Sequence, residues 1–255
     1  MITINSKRES WKIAGTFRIS HGTYSVSEVI SVRIFNGELT GRGECRPYAR
    51  YGETPESVLA QIETAKAALQ GKDADDALAD LQNILPAGAA RNALDCALWD
   101  LKCKTIGKRI WDLLDIPAPT ARTTAFTLSI DSPSKMAKAA REAHAYPVLK
   151  LKIGGPKGLA ATIAVMEARP DAQIILDANE ALSPADIPAF QSTLAPYPVL
   201  MVEQPLKASE FDGAPIDPQA LPMFCADESA HTSADLQKLW DAGYRGVNVK
   251  LDKCG

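Results

Sequence analysis

Val148-Leu149-Lys150-Leu151-Lys152-Ile153 is the stretch on which the fold turns. Side chains two apart in a strand share a face. Leu149, Leu151 and Ile153 therefore line one face, suited to packing under helices, and Lys150 and Lys152 point the other way. A helical pattern follows at 157–168, and the same unit recurs on both sides. Strands are expected at 124–130, 148–153, 173–178, 199–203, 223–227 and 246–251. Helices are expected at 133–145, 157–168, 184–194 and 233–242. Continuous βα alternation implies a parallel sheet, and this many units implies a TIM-like (β/α) barrel. An open doubly wound sheet is the alternative. No Gly-x-Gly-x-x-Gly or P-loop follows any strand, which weakens its nucleotide-binding version.

Ionisable residues recur at the strand ends. From Lys152 the steps are 25 residues to Asp177, 26 to Glu203, 24 to Asp227 and 23 to Lys250. Each step is one βα unit, so each group falls at the C-terminal mouth of the barrel, where active sites form. Alternation turns Glu203 inward with Met201, and Lys250 inward with Asn248 and Asp252. Asn179 shares a face with Asp177, while Glu228 is expected to face outward. Charges aimed at a barrel interior are costly unless they pair or bind an ion. Three carboxylates on adjacent strands make an oxygen-only, triply negative set suited to a hard divalent cation, Mg²⁺ first. Lysines come from strands on either side of it. That combination suits removal of an α-proton from a metal-bound carboxylate, with the enediolate stabilised by the metal. A lysine base needs a lowered pKa, and both the neighbouring Lys150 and a dication push Lys152 that way.

The first 118 residues are patterned differently. Ser27 to Phe35 alternates, Asn36-Gly37 signals a hairpin, and Leu39 to Cys45 returns with glycines at Gly41 and Gly43. Thr54 is placed to cap a helix that begins at Pro55 and stops before Gly71. A second helical stretch runs from Ala89 to Lys104. These features describe an α+β domain over 1–118, followed by the barrel domain over 119–255.

Composition excludes several classes. The chain has 255 residues, 28 Lys+Arg against 31 Asp+Glu, and a formal net charge of −3. A nucleic-acid binder acting through bulk positive charge is not expected. No apolar run approaches the ~20 residues of a membrane span, and the N-terminus lacks a secretory pattern. Five cysteines without a Cys-x-x-Cys pair fit a reducing cytoplasm.

Five segments together resemble the enolase superfamily, in its muconate-lactonising branch. They are Lys150-Leu151-Lys152, Asp177-Ala178-Asn179, Glu203-Gln204-Pro205, Asp227-Glu228-Ser229 and Asn248-Val249-Lys250-Leu251-Asp252-Lys253. None is specific alone; in this order and spacing they are. Within the branch, Gly43 to Thr54 and Asn248 to Gly255 look like the dipeptide epimerases, of the L-Ala-D/L-Glu type. The resemblance implies a capping domain that sets specificity, and Mg²⁺ held by Asp177, Glu203 and Asp227. It implies Lys152 and Lys250 as acid/base groups on opposite faces of the α-carbon, with Lys150 assisting. A lysine base working beside Mg²⁺ belongs to the superfamily's known chemistry. Substrate contacts are implied for His21, Tyr24, Arg50, Asn179 and Asp252. Tyr24 stands where glutamate-specific relatives carry an arginine, so glutamate specificity is not implied. An eight-stranded barrel also needs two strands beyond Gly255, and the chain as given is expected to fold poorly without them.

The activity expected is therefore inversion of the α-carbon of a dipeptide's C-terminal residue. Cycloisomerisation and dehydration to o-succinylbenzoate are alternatives within the fold. A metal-free Schiff-base aldolase, or a non-catalytic scaffold if the chain ends at Gly255, lies outside it. The expected partner is a small-molecule dipeptide, with neither nucleic acid nor membrane, and a homo-oligomer is left open.

Overall fold

The computed structural model describes residues 1–19 and 22–254. The chain divides into two compact units: Met1–Ala14 with Ser25–Ala121 and Lys250–Gly255, and Gly15–Tyr24 with Arg122–Val249. The main boundary falls at 121/122 rather than 118/119, and two further segments are exchanged. Gly15–Tyr24 groups with the second unit, and the last residues, Lys250–Gly255, group with the first.

In the first unit, β1 (Thr3–Ile19), β2 (Gly22–Phe35) and β3 (Thr40–Cys45) form a sheet in that order. Sequence patterning finds β2 and β3 but not β1. Among the residues whose burial is described, Ile4 is the buried one in β1, with Ile2 just ahead of it, and Ser6 to Ser10 is a polar run with no two-residue period. β2 and β3 are antiparallel, with Phe35 opposite Thr40. Asn36 Oδ1 accepts from the backbone N–H of Glu38 at 3.1 Å and Leu39 at 2.9 Å, and Gly37 takes φ +103°.

Four helices follow: α1 (Pro55–Leu69), α2 (Ala74–Ile84), α3 (Ala89–Ile106) and α4 (Ile110–Leu113). Thr54 caps α1 as expected. Its Oγ1 accepts from Ser57 N at 3.1 Å, and Ser57 Oγ accepts from Thr54 N at 2.9 Å. α2 escapes the sequence pattern because it buries only Ala77 and Leu81. α3 lies directly on β3. A Cβ at Gly43 would sit 1.9 Å from Ala93 O, and one at Gly41 2.0 Å from Ala97 O. The two glycines are what allow this approach.

The second unit carries six strands among the described residues: β4 (Phe126–Leu128), β5 (Val148–Lys152), β6 (Gln173–Asp177), β7 (Val199–Glu203), β8 (Met223–Ala226) and β9 (Gly246–Val247). They pair in chain order and all in parallel. A doubly wound sheet would reverse its order at a switch point; this one does not, and it is the sheet of a (β/α) barrel. Between the strands run α5 (Pro133–Glu142), α6 (Leu159–Ala168), α7 (Ile187–Leu194) and α8 (Leu236–Asp241). The core joins strand residues such as Leu149, Leu151, Ile174, Leu176 and Val202 to Met136, Val165, Phe190 and Leu239 of the helices.

Two strand details differ from simple alternation. Ile174 pairs with Val199 and Ile175 with Met201, so Leu200 is the extra residue of a bulge and is left exposed. The last strand is also shorter than 246–251. It ends at Val247, and the chain turns into α9 (Leu251–Cys254). Lys250 O accepts from Lys253 N at 3.0 Å. Lys250 and Asp252 therefore do not continue the inward face of a strand; they belong to the first unit. No helix among the described residues is long and apolar enough to cross a membrane.

Candidate active site

The carboxylates sit where strand register puts them. Lys152 is the register partner of Asp177 across β5 and β6, and Asp177 that of Glu203 across β6 and β7. Asp227 follows the end of β8. Asp177, Glu203 and Asp227 are 1%, 4% and 1% exposed. Carboxylates this dry need partners. Lys150 Nζ stands between two of them, 2.8 Å from Asp177 Oδ2 and 2.7 Å from Glu203 Oε2. Lys152 Nζ donates to Asp177 Oδ2 at 2.6 Å and to Asn179 Oδ1 at 2.8 Å. Asn248 Nδ2 donates to Glu203 Oε1 at 3.0 Å.

The electrostatics follow from this packing. Burial opposes the charge on Lys150, but Asp177 and Glu203 outweigh it and hold the ammonium above its ordinary range. Burial likewise opposes ionisation of Asp177, yet Lys150 and Lys152 bring it below the usual carboxylate range. Glu203 moves the other way, because burial and the charge of Asp177 exceed the help from Lys150.

Among the described residues no three carboxylate, imidazole or thiol groups close into a metal cluster. The Lys150 ammonium lies between Asp177 and Glu203 instead, and that of Lys152 rests against Asp177. In donor type and charge the set nevertheless fits a hard divalent ion. It is all oxygen, fully buried, triply negative, and already draws in the nearest cation.

Gln204 holds the strand ends together. It is fully buried. Its Oε1 accepts from Asp227 N at 2.8 Å and Ser229 N at 3.0 Å, and its Nε2 donates to Leu206 O at 2.7 Å and Ser229 Oγ at 2.6 Å. Its backbone O accepts from Glu180 N at 2.8 Å, and its N donates to Cys225 O at 2.8 Å. One residue thus ties the ends of β6, β7 and β8, its side-chain amide joining β7 to β8 and its backbone carbonyl reaching Glu180 after β6. Asn179, Glu180 and Gln204 all take positive φ, at 41°, 64° and 37°. Such backbone conformations are costly and persist where surroundings over-determine them, often at functional sites. The signal for Gln204 was its place after a strand-end acid and before a proline.

Glu228 departs from its outward expectation, since β8 ends at Ala226 and alternation stops there. Its Oε1 accepts from Asn179 Nδ2 at 3.1 Å. Burial, then the charge of Asp227, push its carboxyl up. Asp252 accepts from Asn92 Nδ2 at 2.6 Å on α3, and burial raises its carboxyl above the ordinary range. Arg50 lies exposed in a short 3-10 turn at Ala49–Tyr51 of the first unit. Tyr24 is half-buried on β2, in the segment grouped with the second unit. His21 lies outside the described residues.

Comparison with known proteins agrees with this architecture. The sequence model for the mandelate racemase / muconate lactonizing enzyme N-terminal domain matches residues 1–115, and that for the enolase C-terminal domain-like fold matches 134–255. The chain belongs to this family, within the enolase superfamily. It is 40% identical over 259 residues to L-Ala-D/L-Glu epimerase of Escherichia coli, covering 100% of this chain and 78% of the relative. An enolase family member from Agrobacterium tumefaciens with homology to dipeptide epimerases was solved with bound sodium and L-Ala-L-Glu. It shares 38% identity at a TM-score of 0.87, over 100% of this chain and 76% of that one. A dipeptide epimerase from Enterococcus faecalis, complexed with Mg and L-Leu-L-Tyr, shares 31% identity at a TM-score of 0.87, over 99% and 75%.

Proposed function

We propose that this chain is a Mg²⁺-dependent isomerase that inverts the α-carbon of a dipeptide's C-terminal residue. The observation that carries the reading is Lys152. Its side chain is 11% exposed, and its ammonium is held by Asp177 and Asn179 at the mouth of the strands. Two of its three N–H groups are engaged, and the third has no acceptor among the described residues, which suits proton delivery in one direction. The relatives' dipeptides and Mg support the substrate class and the metal.

Asp177, Glu203 and Asp227 would hold the metal. When bound, Mg²⁺ supplies positive charge that offsets the three acids and draws electron density from a substrate carboxylate. Lys152 moves the proton on one face of the α-carbon and Lys250 on the other. Lys150 neutralises Asp177 and Glu203. Tyr24 and His21, Arg50, Asn179 and Asp252 are assigned to substrate recognition on resemblance. Of the two lysines a Schiff-base aldolase could use, Lys152 and Lys250, the ion pair of Lys152 with Asp177 speaks against the first, since such a lysine must be neutral and unpaired to attack a carbonyl.

A dipeptide library incubated in D₂O with the full-length gene product and Mg²⁺, read by mass spectrometry, tests this. A subset should gain one α-deuterium, with exchange stopped by chelation and restored by Mg²⁺. A library without exchange at any dipeptide would overturn the reading.

A further inference from the structure

Asn179 can present either its carbonyl or its NH₂ to Lys152, since the two ends of an amide are nearly equal in shape. Only the carbonyl is useful there, because an NH₂ facing an ammonium sets donor against donor. Asn179 Oδ1 does face Lys152 Nζ, at 2.8 Å, and Asn179 Nδ2 faces Glu228 Oε1 at 3.1 Å. Glu228 thus lies at the far end of a three-member chain that ends on the proton-carrying nitrogen. Its other oxygen, Oε2, is buried and has no hydrogen-bond partner among the described residues. Burying a carboxyl with one oxygen unpaired is costly, and among the described residues the Asn179 contact is the side-chain bond it makes in return.

We infer that Glu228 is a positioning residue for Lys152, acting through Asn179, and this rests on the epimerase reading above. An acceptor at Glu228 fixes the Asn179 amide with its carbonyl toward Lys152. With the amide reversed, Oδ1 would meet Glu228 oxygen and Nδ2 would meet the Lys152 ammonium, both repulsive. The fixed carbonyl and Asp177 Oδ2 then hold two N–H groups of Lys152 and leave its third to aim at substrate. The role needs only an acceptor oxygen, which a carboxylate and a carboxylic acid both carry. Glu228→Gln keeps such an oxygen; Glu228→Ala does not.

The test uses the full-length gene product and follows α-deuterium exchange separately from each epimer of an accepted dipeptide. Lys152→Ala first identifies the epimer that depends on Lys152. Glu228→Ala should slow exchange of that same epimer by roughly 10–100-fold, the cost of a misplaced catalytic group, and leave the other within a few-fold. Glu228→Gln should restore most of the loss. Equal loss on both epimers, or loss in Glu228→Gln as deep as in Glu228→Ala, would overturn the positioning role, as would no loss in Glu228→Ala. A second readout needs no turnover. Competitive acetylation of Lys152 against exposed Lys157, read by peptide mass spectrometry, should rise in Glu228→Ala and stay near wild type in Glu228→Gln. Failure of the epimerase reading would remove exchange in the wild type yet leave this difference; failure of the positioning role would abolish the difference.

Discussion

Lys152 and Asp177 are register partners on adjacent parallel strands, and their side chains meet at 2.6 Å with Asp177 1% exposed. Parallel strands place equivalent residues side by side, so an ammonium at the end of one strand and a carboxylate at the end of the next need no loop to find each other. The same register sets Glu203 beside Asp177. Two carboxylates thus stand side by side next to the ammonium, and Lys150 Nζ, 2.8 Å from Asp177 and 2.7 Å from Glu203, compensates both.

Asp177→Asn should lose Mg²⁺ affinity and activity together. The amide keeps the shape but removes a charge from the triply negative set. We expect a loss of at least the roughly 10–100-fold that even outer-shell changes cause. Calorimetric titration with Mg²⁺ measures it, and undiminished affinity would exclude Asp177 as a ligand.

Lys152→Ala and Lys250→Ala should each abolish epimerisation while sparing α-proton exchange from one epimer, a different one in each variant. A substrate pinned by its carboxylate cannot turn over, so one lysine serves one face. Exchange measured in D₂O from each pure epimer checks this. Retention of the same epimer in both variants would contradict the two-base assignment.

Gln204→Leu should cost stability as well as activity. It strands the N–H groups of Asp227 and Ser229, which Gln204 Oε1 accepts at 2.8 and 3.0 Å. Unpaired buried donors cost about 1–3 kcal/mol each, so the melting temperature should fall by several degrees. Gln204→Glu retains acceptor oxygens for both and should melt between the two. An unchanged melting curve for Gln204→Leu would show that the clamp contributes nothing.

Gly43→Ala should destabilise the first unit. The added methyl would sit 1.9 Å from Ala93 O, a backbone atom that moves only if α3 moves. Overpacking typically costs about 1–3 kcal/mol, and this contact belongs at the upper end. Denaturant unfolding gives the value. A loss below about 0.5 kcal/mol would mean that α3 can lift off β3 freely, against the packing argued here.

Asp73 caps α2 through the N–H groups of Asp75 and Asp76, both at 2.9 Å, and those bonds hold its carboxyl below the ordinary 3.8. A carboxyl depressed in the folded state stabilises fully above its unfolded pKa, and the contribution fades as pH falls through the lower, folded value. Wild type should therefore lose more stability than Asp73→Asn between pH 5 and pH 3. Parallel melts at the two pH values test the sign, and equal losses would contradict it.

The strand-end acids, the lysine pair on β5, the βα order and the Thr54 cap were legible in the chain because each rests on local periodicity or spacing. Other features needed the fold. β1 is held by pairing within the sheet, and its polar residues carry no period. Lys250 leaves strand geometry because β9 ends at Val247 and the chain turns into α9. Glu228 faces Asn179 because β8 stops two residues before it. Local sequence determined which chemical groups the strands would carry to their ends. Where the ladders stop, and therefore which groups meet beyond them, was decided by tertiary packing, since a hydrogen bond or an ion pair between residues 25 or 49 apart in the chain forms only when the elements between them have folded.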